Sequence, residues 1–236
     1  MITQLHSTRS KTIVNEENYF LFTHLELDTA PLRAAFETIR PDEYCSGGYR
    51  YRALNRFWIR DRKLVPQPYE PFTQDGRYNK LWGNMQRQFP ELDFGQKAMA
   101  PLNELCMRFA HSCDMDPDTV ELGVHPIRTI CPTGGNAPPA PEGVHTDGYP
   151  YVGLYVLRKD AGMLGAETSL LTARQGGRAV FQQTLVEGDL LCFNDVRVFH
   201  YTSPMRMSDG SSGIRDVIGL SLSPKANLPN PNGYTR

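Results

Sequence analysis

The sequence predicts a mainly β, α+β fold: a sandwich or barrel of short strands with helices at its flank. Two observations carry this. From Val120 onward, short apolar runs are repeatedly broken by Gly, Pro and Asp, the punctuation of an antiparallel β-fold. Upstream, two stretches instead space their apolar residues at the helical period. With 236 residues, 40% hydrophobic and 22% charged, the chain has enough apolar surface for one sizeable core, so residues 1–236 are expected to form a single domain.

Taken in order, Tyr19-Phe20-Leu21-Phe22 reads as a short strand, and residues 30–39 set Leu32, Ala35, Phe36 and Ile39 on one helical face that Pro41 ends. Residues 47–59 open on Gly47-Gly48 and are rich in aromatics, so they are expected to form one strand. Alternation along it gives Arg50, Arg52 and Arg56 a common face, with Tyr49 and Tyr51 opposite. Residues 63–90 have no clear period and predict irregular structure or a lid. Residues 101–112 put Leu102, Leu105, Cys106, Phe109 and Ala110 on one face of a packing helix, with Pro101 in its first turn. Seven strands are then expected near residues 121–131, 149–157, 167–171, 179–182, 189–193, 196–201 and 217–222.

Composition excludes several classes of function. A net charge of -1 offers no surplus of Lys and Arg for a nucleic-acid backbone. No run approaches the roughly 18 apolar residues of a membrane helix, and the polar start, Met1 to Lys11, lacks the pattern of a secretory leader, so a cytoplasmic protein is expected. The five cysteines are odd in number, scattered and without a C-x-x-C pair, which predicts buried thiols rather than disulfides or a zinc knot. The expected partner is a small molecule.

The chemistry concentrates around His145-Thr146-Asp147. In extended backbone residues i and i+2 project to one side, so an imidazole nitrogen and a carboxylate oxygen can meet one ion while Thr146 points away. By chance a His-x-Asp appears about once in three sequences of this composition, so the pair needs company. His200 supplies it, closing a strand after the turn Glu187-Gly188-Asp189. Two histidines and one carboxylate leave three open positions on an octahedral ion, the donor set of iron(II) oxygenases.

Four segments carry a family resemblance: Glu142 to Gly148, Gly165 to Ser169, Gly188 through His200, and Gly213 to Val217. It extends upstream through Gly48-Tyr49-Arg50-Tyr51-Arg52 and Val124-His125-Pro126-Ile127-Arg128. The chain resembles the iron(II)/2-oxoglutarate-dependent dioxygenases of the bacterial isoleucine dioxygenase type, which hydroxylate free amino acids. The resemblance implies a double-stranded β-helix (jelly-roll, cupin-like) core, Fe(II), 2-oxoglutarate and O2 as cofactor and cosubstrates, His145, Asp147 and His200 as the metal ligands, and Arg215 as the anchor of the distal 2-oxoglutarate carboxylate. A guanidinium suits that anchor, matching a carboxylate with two parallel bonds and keeping its charge in a desolvated pocket. Arg206, the nearest competitor, falls in a Pro-Met-Arg-Met-Ser loop and is expected to face solvent.

An amino acid substrate needs a cation for its carboxylate and an acceptor for its ammonium. Arg50, Arg52, Arg56 and Arg128 are the candidates for the first and Glu167 for the second, with Tyr149 as a pocket wall and Tyr151 either beside it or filling the sheet. His125 reads as a packed histidine, and Asp195 and Asp216 as candidates to orient His200 and Arg215. Two alternatives stand beside this reading: a cupin-like metal barrel with non-oxygenase chemistry or a ligand-binding role, and a hydroxylase of macromolecules, which the near-neutral charge and compact length disfavour. Halogenation is disfavoured too, because Asp147 occupies the position a halide would need.

Overall fold

The computed structural model describes residues 13, 14, 17, 19–113 and 115–225. The polar start of the chain, residues 1–12, lies outside them.

Strands β1 (Ile13–Val14) and β2 (Phe20–His24) lead into helix α1 (Ala30–Phe36). The expected strand over 47–59 is two strands, β3 (Arg50–Arg52) and β4 (Asn55–Arg60), followed by β5 (Lys63–Pro66). The break at Ala53-Leu54 lets β3 and β4 pair with different stretches of the same long strand. Helix α2 (Gly95–His111) begins six residues before Pro101, which therefore sits inside the helix rather than in its first turn. The helix keeps its course because Ala98, Pro101, Leu102, Leu105, Cys106 and Phe109 are all buried, and that packing outweighs one missing backbone donor.

A 3-10 turn, Pro117–Thr119, opens β6 (Val120–Cys131). The rest is β7 (Tyr151–Lys159), β8 (Met163–Gly165), β9 (Glu167–Leu171), β10 (Ala179–Thr184), β11 (Asp189–Asn194), β12 (Phe199–Thr202), β13 (Met205–Met207) and β14 (Gly213–Pro224). Every expected strand region is present, and two short ones, β8 and β13, are additional. They pair only with each other as strands, three residues long apiece, too short to register as a sequence pattern.

All pairing among the described strands is antiparallel. The large sheet runs β1-β2-β11-β7-β14-β6-β4-β5, with β3 also on β6. Facing it are β10-β9-β12 and β13-β8, extended by two single bridges, His145 to His200 and Ala137 to Met205. This is the mainly β jelly roll expected, with helices on one outer face.

Parity along the central strands decides what each face does. On β14, Ile218, Leu220 and Leu222 join Leu105, Phe109 and other α2 residues in the larger core. Gly153 on β7 lets the helix approach, since a Cβ there would lie 2.9 Å from the Phe109 ring. The opposite face, carrying Val152, Val156, Leu191, Phe193 and Val217, packs on Leu170, Phe181 and Val198 from the smaller sheet. Each fully buried Leu or Phe in these clusters contributes roughly 1.5–3 kcal/mol of transfer free energy. Between the sheets, toward one end, the packing opens into a polar chamber.

Candidate metal centre

His145, Asp147 and His200 meet in that chamber, each offering a ligand atom within 4.8 Å of the others. His145 lies on no extended strand. It is held by a two-way backbone bridge to His200 (N to O 3.0 and 2.8 Å), which sets the two imidazoles side by side with centroids 4.2 Å apart. Asp147, two residues on, brings Oδ1 to 3.7 Å from His145 Nε2 and Oδ2 to 3.4 Å from His200 Nε2. The i, i+2 relation therefore holds without a regular strand.

The other ring nitrogens are occupied or faced by fixed acceptors. His145 Nδ1 donates to the Gly143 carbonyl at 2.8 Å, leaving Nε2 with its lone pair for a metal. His200 Nδ1 faces Asp195 Oδ1 at 3.3 Å. Asp195 also accepts from the backbone N–H groups of Asp147, Gly148 and Tyr149 through Oδ2, at 2.8, 2.8 and 3.4 Å. One buried carboxylate thus holds the backbone of the metal loop and faces His200 Nδ1 at ion-pair distance.

The charge states suit a divalent ion. Burial and the neighbouring His200 lower the His145 pKa, so that imidazole is neutral. Asp147 is held well below the ordinary carboxylate range, because His200 and His145 overcome the opposing effect of burial. His200, despite burial, is pushed up to about 10 by Asp147 and Asp195, and a bound metal ion would take the place of that proton.

The chamber, of about 120 Å³, is also lined by Arg50, Arg52, Thr129, Glu142, Tyr149, Thr202 and Arg215. Arg215 is buried, has no carboxylate partner among the described residues, and leaves Nε and Nη2 without a hydrogen bond. Burial alone lowers its pKa to about 10, so it remains a cation at neutral pH. Thr129, its register partner on β6, lines the chamber with it.

Three of the expected substrate residues lie elsewhere. Arg128 alternates with Ile127 and Thr129, which face the chamber, and so points to the helical side. There it makes two bonds to Asp216 (2.8 and 3.0 Å) and one to Glu37 (2.8 Å), which also removes Asp216 from any role beside Arg215. Glu167 is half-exposed and accepts from Gln182 Nε2 at 2.6 Å, since along β9 it is Thr168 and Leu170 that turn inward. Arg56 does not share a site with Arg50 and Arg52. It lies beyond the break at 53–54 and pairs with Glu121 and Glu70 in the wall of a second, outer chamber of about 240 Å³. Tyr149 lines both chambers, Tyr151 packs against the larger core, and Arg206 is exposed.

Four neighbours of the metal donors escaped the sequence reading. Gln74 Nε2 donates to Asp147 Oδ1 at 3.0 Å, and Arg87 and Asn79 both donate to Gln74 Oε1. Arg87 is completely buried among Phe72, Trp82 and Phe89, with its guanidinium carbon 4.9 to 5.4 Å from their ring centroids. Glu142 enters the chamber from the loop ahead of His145. Of the residues 63–90 expected to be irregular, 63–66 form β5, and the irregular segment after it brings Gln74 against Asp147.

The family model described as 2OG-Fe dioxygenase matches residues 33–221. The chain belongs to that family. Its cofactor is Fe(II), with 2-oxoglutarate and O2 as cosubstrates, and the two-histidine, one-carboxylate donor set fits that ion with positions to spare. Membership decides against the non-oxygenase barrel. Among solved structures, IDO from Bacillus thuringiensis shares the fold with TM-score 0.69 and 18% identity, over 89% of this chain and 96% of that one. A bsmA homolog from Methylobium petroleophilum aligns with TM-score 0.65 and 26% identity, over 85% and 83% of the two chains. The Fe(II)/α-ketoglutarate-dependent dioxygenase TqaL aligns with TM-score 0.61 and 16% identity, over 94% and 86%. No curated protein matches the sequence.

Proposed function

We propose that this dioxygenase hydroxylates an unactivated C–H bond of a free L-amino acid or close derivative, with iron on His145, Asp147 and His200 and the distal carboxylate of 2-oxoglutarate on Arg215. The observation that carries it is Arg215, a buried guanidinium with two unbonded nitrogens in the same chamber as the metal donors. Leaving such a charge unpaired costs several kcal/mol, and a carboxylate from outside the chain offsets that cost.

Bound iron, with 2-oxoglutarate and O2, supplies the oxidation of the C–H bond and releases succinate and CO2. The protein's own residues do the aiming. Arg215 fixes one end of the cosubstrate, Asp195 and the Gly143 carbonyl hold the two imidazoles in register, and Val152 and Val217 keep that part of the chamber apolar. A chamber of about 120 Å³ that shares lining residues with one of about 240 Å³ suits a small molecule rather than a polymer strand. The five free, buried cysteines fit a reducing, cytoplasmic setting. Among the described residues no helix is long and apolar enough to cross a membrane.

The test is to supply the ferrous protein with 2-oxoglutarate, ascorbate and pooled L-amino acids, and to follow succinate together with products heavier by one oxygen. Succinate release that the amino acids fail to stimulate would count against the substrate class.

A further inference from the structure

Pairing sorts the buried arginines around the inner chamber. Arg50 stands between two carboxylates, with Nε and Nη2 both 2.8 Å from Asp42 Oδ2 and Nη1 3.9 Å from Glu142 Oε2. Arg87 gives Nη2 to Gln74 Oε1 at 2.7 Å and otherwise lies against aromatic rings. Arg52 differs from both. Among the described residues it has no carboxylate partner, its Nε is buried without a hydrogen bond, and its guanidinium carbon sits 4.8 Å from the Phe72 ring centroid and 4.4 Å from that of Phe89. Burial, with the nearby Arg50 and Arg87, brings its pKa to about 10, so the charge persists at neutral pH.

A second charge without a hydrogen bond, of opposite sign and loosely paired with Arg50, lines the same chamber. Glu142 Oε2 is buried without a hydrogen-bond donor, and its nearest cation, Arg50 Nη1, stands 3.9 Å away, beyond hydrogen-bond reach. Arg52 and Glu142 sense each other's charge but form no ion pair. Two opposite charges held in one chamber without closing on each other leave room for a molecule that carries both signs. Arg215 does not compete for the same anion. Arg52 pairs in register with Ile127 on one side of β6, whereas Arg215 pairs with Thr129 on the other. Their backbones are therefore two strands and two residues apart, roughly 11–12 Å by strand geometry.

We propose that Arg52 and Glu142 form a zwitterion cradle for the primary substrate, Arg52 taking the α-carboxylate and Glu142 the α-ammonium, so that the enzyme requires both groups free. This rests on the amino acid reading above and sharpens it: N-acylated amino acids, amino acid amides and peptide-bound residues are excluded. The aromatic bed of Phe72 and Phe89 fixes the plane of the Arg52 guanidinium and keeps water from its faces. The ammonium site is Glu142, in place of Glu167.

The test compares three pools on the iron-loaded enzyme with 2-oxoglutarate: free L-amino acids, their N-acetyl derivatives and their carboxamides, each read by stimulated succinate release. Stimulation by the free pool alone, with either derivative pool at least about tenfold weaker, is expected from the loss of one charge-assisted contact. Equal stimulation by a derivative pool overturns the cradle while leaving the amino acid reading intact. Stimulation by none of the three overturns the amino acid reading and the cradle with it. With the most active amino acid of the pool, Arg52→Lys and Glu142→Gln should each raise its KM at least about tenfold and leave the KM for 2-oxoglutarate within about twofold. A rise confined to the 2-oxoglutarate KM overturns the assignment of Arg52. Where a variant fails to fold, the comparison of pools on the unaltered enzyme still decides.

Discussion

Gln74 Nε2 donates a 3.0 Å hydrogen bond to Asp147 Oδ1, tying the irregular segment that covers the chamber to the only carboxylate of the metal donor set. The amide is held in that orientation because Arg87 and Asn79 both donate to its oxygen. A carboxylate so restrained would hold a fixed orientation toward a bound ion. Gln74→Leu should therefore weaken Fe(II) binding about 10- to 100-fold, the usual effect of losing a partner that orients a metal ligand. Anaerobic iron titration of the two proteins checks this, and equal affinities would mean that Asp147 is positioned by its own loop alone.

Asp147→Ala removes one of three metal donors and should abolish amino-acid-stimulated succinate release. Asp195→Ala is expected to act indirectly. It frees three backbone N–H groups of the metal loop and the Nδ1 side of His200 at once, so both iron affinity and thermal stability should fall. Turnover by the Asp147 variant at the unaltered rate would remove it from the metal site.

Arg215 makes opposite predictions for the free and the 2-oxoglutarate-bound protein. A buried cation without a partner destabilises the fold, so Arg215→Met should raise stability in the absence of 2-oxoglutarate by about 1–4 kcal/mol. The unaltered protein should gain about 2.7 kcal/mol from 2-oxoglutarate at 100 times its dissociation constant, and the variant almost nothing. Thermal melts with and without 2-oxoglutarate read both effects. A variant that still gains stability from 2-oxoglutarate would transfer the anchor to another residue.

What the sequence made legible follows from how each residue reaches the site. His145 and Asp147 are two positions apart, so their pairing is written locally, whereas His200 stands out only by its place after the Gly-Asp turn and Arg215 only through the family resemblance. Arg128 is expected from the sequence to reach substrate, yet its parity with Leu122 and Val124, both in the helix-facing core, marks the other direction. Glu167 failed on the same count, because the inward residues of β9 are Thr168 and Leu170. Gln74, Arg87 and Glu142 arrive on segments with no period. The place of Gln74 and Arg87 depends on a chain reversal pinned by the Phe72 to Arg87 backbone bridge, a contact with no local pattern, and Glu142 sits in the loop ahead of His145. The unbroken strand over 47–59 was an error of a different kind: aromatic content predicts pairing and is silent on a change of pairing site.

His125 gives the protein a specific weakness in acid. It stands where the two chambers meet, Nε2 at 3.1 Å from Ser221 Oγ, and Gly123 leaves the space, since a Cβ there would come within 2.5 Å of that hydroxyl oxygen. Burial and then the Arg52 cation depress its pKa from 6.5 to about 3, so the folded protein keeps the imidazole neutral. The unfolded chain protonates near 6.5. Its protons then outnumber those of the folded state, and stability falls as pH drops from the unfolded toward the folded value. At about 1.36 kcal/mol per pH unit, the cost between pH 7 and pH 5 is about 2 kcal/mol from this residue alone. His125→Gln keeps a polar group toward Ser221 without a titrating ring. Urea unfolding at the two pH values should give a loss smaller by about 2 kcal/mol in the variant, other carboxylates and histidines cancelling in the comparison. Equal losses would mean that the imidazole takes up its proton inside the folded protein, with water reaching the junction between the chambers.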